Sequence, residues 1–133
     1  MGKSLIQVAN QSNQAVEVNS IIPLGSVIRR YGCNCRLSGN AVEVRGEGYY
    51  IIDCNVSVSP TAAGAVTVAL FNNGVQLTGA IAYGTGTAGD PVTLPISTTI
   101  RQGCCCDSAD NLTAVLLEGA GTVNNISLRV EKS

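Results

Sequence analysis

Gly48-Tyr49-Tyr50-Ile51-Ile52-Asp53-Cys54-Asn55-Val56-Ser57-Val58 is the stretch from which the fold is read. Successive side chains of an extended strand point to opposite faces. Tyr50, Ile52, Cys54, Val56 and Val58 therefore share one face, and Tyr49, Ile51, Asp53, Asn55 and Ser57 share the other. One face is apolar throughout and the other turns polar after Ile51, the pattern of a strand half-buried against a core. Downstream, Val66, Val68 and Leu70 alternate with Thr67, Ala69 and Phe71, and Asn72-Asn73-Gly74 follows before Val75 and Leu77. Asn and Gly tolerate positive φ, so a hairpin with Asn73-Gly74 at its tip is predicted.

The same alternation recurs across the chain. Leu112, Ala114 and Leu116 alternate with Thr113, Val115 and Leu117, so both faces are largely apolar, one for a core and one for a neighbouring subunit. Ile126 to Glu131 alternates cleanly close to the C-terminus. Leu5 to Ala9, Ala15 to Val18, Ser26 to Arg30 and Ala41 to Arg45 are weaker strands, and Pro91 to Ile100 is an extended piece whose prolines suit a sheet edge. Eight to ten short strands with turn signals between them are the signature of a sandwich or barrel. No fixed repeat argues for a propeller or solenoid. The reading is an all-β jelly-roll sandwich of about ten strands occupying residues 1–133 as one domain, with Tyr50, Ile52, Val56, Val68, Leu70, Leu116, Leu128 and Val130 in its core.

Charged residues make up 13% of the 133 residues, about half the share in typical soluble proteins. Interfaces are depleted in charge, so the deficit favours self-association over a surface covered by Ser, Thr, Asn and Gly. Eight basic residues are scattered against nine acidic ones, leaving no nucleic-acid footprint. No window is apolar enough for a membrane-spanning helix. Met1 to Gln7 has no apolar h-region, so no secretory signal is read there. Cytoplasmic synthesis is expected, with retention there or a virion or cell-surface destination reached without a cleaved signal.

Gly46-Glu47-Gly48-Tyr49-Tyr50-Ile51-Ile52 followed by Asn55-Val56 resembles the Gly-x-Tyr strand of the tumour necrosis factor and complement globular-head superfamily, and most closely its small bacterial and phage members. The Leu70 to Val75 hairpin, the Leu112 to Leu117 strand and the terminal Val123 to Val130 strand are similar as well. The resemblance implies a ten-stranded jelly roll that assembles as a homotrimer, often as the head of a surface or virion appendage. The chain departs from the family in having no collagen-like Gly-X-Y repeat and only 4% aromatic residues.

Six cysteines stand out. Cys54 lies on the apolar face of the clearest strand and reads as a small buried hydrophobe. The others form two groups, Cys33 with Cys35, and Cys104, Cys105 and Cys106. Three readings remain open for these five. They are disulfide candidates, closing a loop of about 70 residues and stabilising the fold by ~4 kcal/mol. They are thiolate ligands of a zinc or iron–sulfur site, although neither spacing matches the usual Cys-x-x-Cys knuckle. Or they are reduced thiols that only pack.

Catalysis has little support. The chain has no histidine, which removes the usual general base and the usual activator of a Ser or Cys nucleophile. Glu43 with Glu47, and Asp107 with Asp110, read as solvated turn carboxylates. Arg101 is the only cation close in sequence to the Cys104 group. Gly84-Thr85-Gly86-Thr87-Ala88-Gly89 lacks the Lys-Ser or Lys-Thr of a phosphate-binding loop and reads as a flexible connection. Arg29-Arg30-Tyr31 is a weak anion or sugar candidate. The leading expectation is a non-enzymatic structural or adhesive homotrimeric module of a bacterial surface or phage particle, without cofactor, metal, nucleic acid or membrane. The alternative is a binding module that captures carbohydrate or metal through its loops.

Overall fold

The computed structural model describes residues 4–102 and 110–132. These form β1 (Leu5–Asn10), β2 (Gln14–Val16), β3 (Ser20–Ile21), β4 (Ser26–Tyr31), β5 (Cys35–Ser38), β6 (Ala41–Val44), β7 (Gly48–Pro60), β8 (Gly64–Asn72), β9 (Val75–Gly86), β10 (Val92–Gln102), β11 (Asp110–Glu118) and β12 (Gly121–Lys132). Among the described residues there are twelve strands rather than about ten; Ser20–Ile21 and Cys35–Ser38 are the two that the sequence reading did not include.

The strands build two antiparallel six-stranded sheets. Sheet A runs β10-β7-β12-β1-β4 with β2 also on β12, and sheet B runs β5-β6-β11-β8-β9 with β3 also on β11. From β6 onward the chain crosses between sheets at every connection except the β8–β9 hairpin, which is the jelly-roll path. The inward faces of both sheets make one core. Tyr50, Ile52, Val56, Val68, Leu70, Leu116, Leu128 and Val130 are all fully buried in it, and Cys54 lies among them.

Local chemistry matches the path. Asn73 (φ 53°) and Gly74 (φ 83°) form the hairpin tip, both in the left-handed region that a two-residue hairpin turn demands. Asn73 Oδ1 also accepts from the Asn111 backbone N–H at 3.0 Å, pinning the tip to β11. β10 is an edge strand of sheet A, where Pro95 is tolerated. Gly84 to Gly86 belongs to β9 and not to a flexible connection. A Cβ on Gly86 would come within 2.5 Å of Val92 Cγ2, so glycine there lets the end of β9 close against β10.

Candidate functional site

The outer face of sheet A carries three cross-strand rows of different chemistry. At one end, register places Tyr31 opposite Leu5, Leu5 opposite Glu131 and Glu131 opposite Ile51. Tyr49 follows at the same end, beside Arg101, whose guanidinium carbon lies 5.9 Å from the ring centroid. Tyr31 is 65% exposed, Tyr49 58% and Ile51 41%. Apart from Glu131 and Arg101 this end is aromatic and aliphatic, and it is open to solvent.

The next row is charged. Gln7 sits between Arg29 and Arg129, and Arg129 stands opposite Asp53. The Arg129 guanidinium pairs with Glu131 and lies 4.0 Å from Asp53, whose Oδ1 accepts from the Ser97 hydroxyl at 2.5 Å. The third row, Ser26, Ala9, Ser127, Asn55 and Pro95, is small and neutral. An open groove of about 800 Å³ lies at this end, between β1, β4, the start of β2 and β12.

Sheet B has an apolar outer patch of its own. Ile21 faces Val115, Val115 faces Ala69 and Ala69 faces Ile81. Ala69 is fully buried beneath its neighbours although it points outward, whereas Tyr83 nearby is 71% exposed. Thr113, Val115 and Leu117 are half-buried, so the outer side of β11 is partly covered within the chain itself.

The cysteines divide. Cys33 is exposed, Cys35 and Cys54 are buried, and all three thiols are free. Cys35 is not a loop residue: it opens β5 opposite Val44. Burial pushes its thiol pKa up to about 11, against the opposing pull of Arg30 and Lys132, and burial alone pushes Cys54 to about 12. Both are protonated at neutral pH and poor nucleophiles or ligands as they stand. Cys104, Cys105 and Cys106 lie outside the described residues, as does Asp107. Among the described residues no three Cys, Asp or Glu side chains converge as a metal site would require.

What organises the Cys33–Cys35 turn is the residue between the two cysteines. Asn34 Nδ2 donates to the Arg45 carbonyl at 2.8 Å, Asn34 Oδ1 accepts from the Ser4 hydroxyl at 2.5 Å, and the Arg45 N–H donates to the Asn34 carbonyl at 2.7 Å. The Tyr50 hydroxyl lies 2.9 Å from the carbonyls of both Arg45 and Gly46. Sequence reasoning missed Asn34 because its partners are 30 and 11 residues away. Gly46, beside it, was the available signal: at φ 98° a Cβ there would sit 2.1 Å from Asn34 Nδ2.

Of the remaining candidates, Glu43 and Arg30 have structural partners. Glu43 lies in β6 and not in a turn, and it accepts from Arg36 at 2.8 Å and Arg45 at 3.1 Å. The hydrogen bond from Arg45, followed by the effect of Arg36, holds its carboxyl below the usual value despite some opposing desolvation. Asp110 begins β11 opposite Val44, and Glu47 is an exposed residue preceding β7. Arg30 Nε donates to the Cys35 carbonyl at 2.8 Å, while Arg29 points with Gln7 onto the outer face of sheet A.

A comparison with protein-family models finds no match, and neither does one with curated protein sequences. Solved structures are similar over nearly the whole chain. Murine APRIL superposes with a TM-score of 0.76 at 11% identity, covering 99% of this chain and 100% of that one. The globular domain of zebrafish complement 1qA gives 0.72 at 8% identity, covering 96% and 94%. The PRD1 vertex protein P5 gives 0.65 at 11% identity, covering 97% and 96%. The chain has the jelly-roll fold of the tumour necrosis factor and complement globular heads, and at these identities the likeness is one of fold.

Proposed function

We propose that this protein is a non-enzymatic structural or adhesive module, residues 1–133 forming one domain that assembles as a homotrimer on a bacterial surface or phage particle. The observation that carries the reading is the pair of separate patches rich in apolar side chains, Tyr31, Leu5, Ile51 and Tyr49 around Glu131 on sheet A and Ile21, Val115, Ile81 and Tyr83 on sheet B. A closed ring of identical subunits needs two different surfaces that meet each other, since each copy contacts its neighbours head to tail. Similarity in fold to a vertex protein supports a place on a particle. The lack of any histidine in the sequence supports a role without catalysis.

Disulfides formed on oxidation between the Cys33–Cys35 group, whose thiols are free in this structure, and the Cys104–Cys106 group belong to the same proposal. Val44 supports them, being opposite Cys35 and opposite Asp110, while its carbonyl accepts from Gln102 Nε2 at 3.5 Å. Both ends of the segment carrying Cys104, Cys105 and Cys106 are thereby tethered beside the strand of Cys35. The test of the whole reading is native mass with and without reductant. A reductant-insensitive species of three times the 13.7 kDa chain mass is expected, and a monomer at micromolar concentration overturns the assembly. Peptide mapping without reduction is expected to link Cys33 or Cys35 to the Cys104–Cys106 group, and three unmodified peptides would remove that pairing.

A further inference from the structure

We infer that the groove at the neutral end of sheet A is a binding site for an uncharged oligosaccharide, a role that goes beyond assembly and does not depend on it. Its volume of about 800 Å³ lies within the ~300–1,000 Å³ typical of small-ligand sites. None of its lining residues is charged; the wall is built from amide and hydroxyl side chains.

Gln7, Gln11, Gln14 and Asn125 line the groove, and none of the four side chains has a hydrogen-bond partner among the described residues. Each amide offers two N–H donors and a carbonyl acceptor within one group. That pairing matches a sugar hydroxyl, which donates and accepts at once. An anion would need a cation in the wall, and a hard metal ion would need carboxylates. Two arginines flank Gln7 on the neighbouring strands: Arg129 is committed to Glu131 and Asp53, and Arg29, opposite Gln7 on β4, does not line the groove. Ile28, 54% exposed, supplies an apolar strip for the C–H face of a ring.

The site is held in shape before any ligand arrives. Asn10 Nδ2 donates to the Pro23 carbonyl at 3.3 Å, and Asn10 Oδ1 accepts from the Ser12 N–H at 3.0 Å. One side chain thus fixes both walls, the β1–β2 loop and the turn entering β4. That turn needs glycine at its tip: Gly25 has φ 80°, and a Cβ there would lie 2.4 Å from the Ala9 carbonyl oxygen. Preorganisation of this kind lowers the ordering cost of binding.

The test is an array of neutral hexose and N-acetylhexosamine oligosaccharides printed beside sialylated and sulfated ones, followed by calorimetry with the best neutral glycan. Neutral glycans are expected to bind, with affinity falling at least tenfold in Gln7→Ala and in Gln11→Ala. Gln11 is exposed on a loop, so its replacement leaves the fold intact. Silence toward every neutral glycan overturns the inference, as does binding confined to acidic glycans or binding undiminished in both variants. Native mass is unaffected by any of these results, so failure of the glycan site and failure of the trimer are read separately.

Discussion

The two ends of the outer face of sheet A share the same strands and carry opposite chemistry. Beneath them the core is equally apolar: Ile6, Ile52 and Val130 are fully buried under one end, and Val8, Val56 and Ile126 under the other. Above it, Leu5, Tyr31, Tyr49 and Ile51 give way over about 13 Å of strand to Ala9, Asn10, Ser26 and Asn125, with the Arg129–Asp53 pair between. Because alternate residues face opposite sides, the inward set can fix the fold while the outward set varies freely. Two surfaces of different use therefore fit on one sheet: an apolar end suited to another subunit and an amide-lined end suited to a ligand.

Placing charge on the apolar end should separate the two most strongly. Tyr49→Asp with Ile51→Asp is expected to weaken self-association by about 100-fold or more, about 3 kcal/mol, and to yield a folded monomer by sedimentation with unchanged circular dichroism. Gln7→Ala should leave the mass as it is. An unaltered oligomer in the double variant would remove this end from the interface.

At the other end, Gly25→Ala forces a side chain into positive φ and toward the Ala9 carbonyl. A loss of about 2 kcal/mol in denaturant unfolding is expected, whereas Gly89→Ala, with φ 83° and open space around it, should lose less. Equal losses would mean that the close approach at the groove does not matter. Asn34→Ala, which breaks the pin beneath the apolar end, should cost about 1–2 kcal/mol. In the reduced protein it should also speed maleimide labelling of buried Cys35 relative to exposed Cys33.

The smallest effect concerns Glu43. Its carboxyl is held below 4.5 in the folded state, so the stability it contributes is present above its unfolded value and is lost as pH falls through the lower folded one. Glu43→Gln should therefore show a flatter decline in stability below pH 4.5 than the wild type. Parallel acid profiles would show that the Arg36 and Arg45 pairing is too solvated to matter.

The fold was legible because its signals are local. Alternation at Tyr50 to Val58 marked the central strand, and Asn73-Gly74 marked the hairpin, since both depend on residues adjacent in sequence. The strand at Cys35–Ser38 was not legible: Leu37 is its only strongly apolar side chain, and Cys35 reads with Cys33 as a pair of thiols rather than as the buried start of a strand. The groove was hidden for a different reason. Gln7, Gln14 and Asn125 come from three strands, and only the register of β1 with β12 and of β12 with β2 brings them together. Glu43 falls within the alternation of Ala41 to Arg45, which turns it outward beside Arg45, while its other partner, Arg36, comes from the neighbouring strand β5.

The most direct test of the division between the two ends is a crystal structure of the assembled protein. The account predicts that Tyr31, Leu5, Ile51 and Tyr49 lose their exposure at subunit contacts while the groove beside Gln7 and Asn125 stays open to solvent. A structure in which subunits cover the groove and leave the apolar row exposed would contradict it.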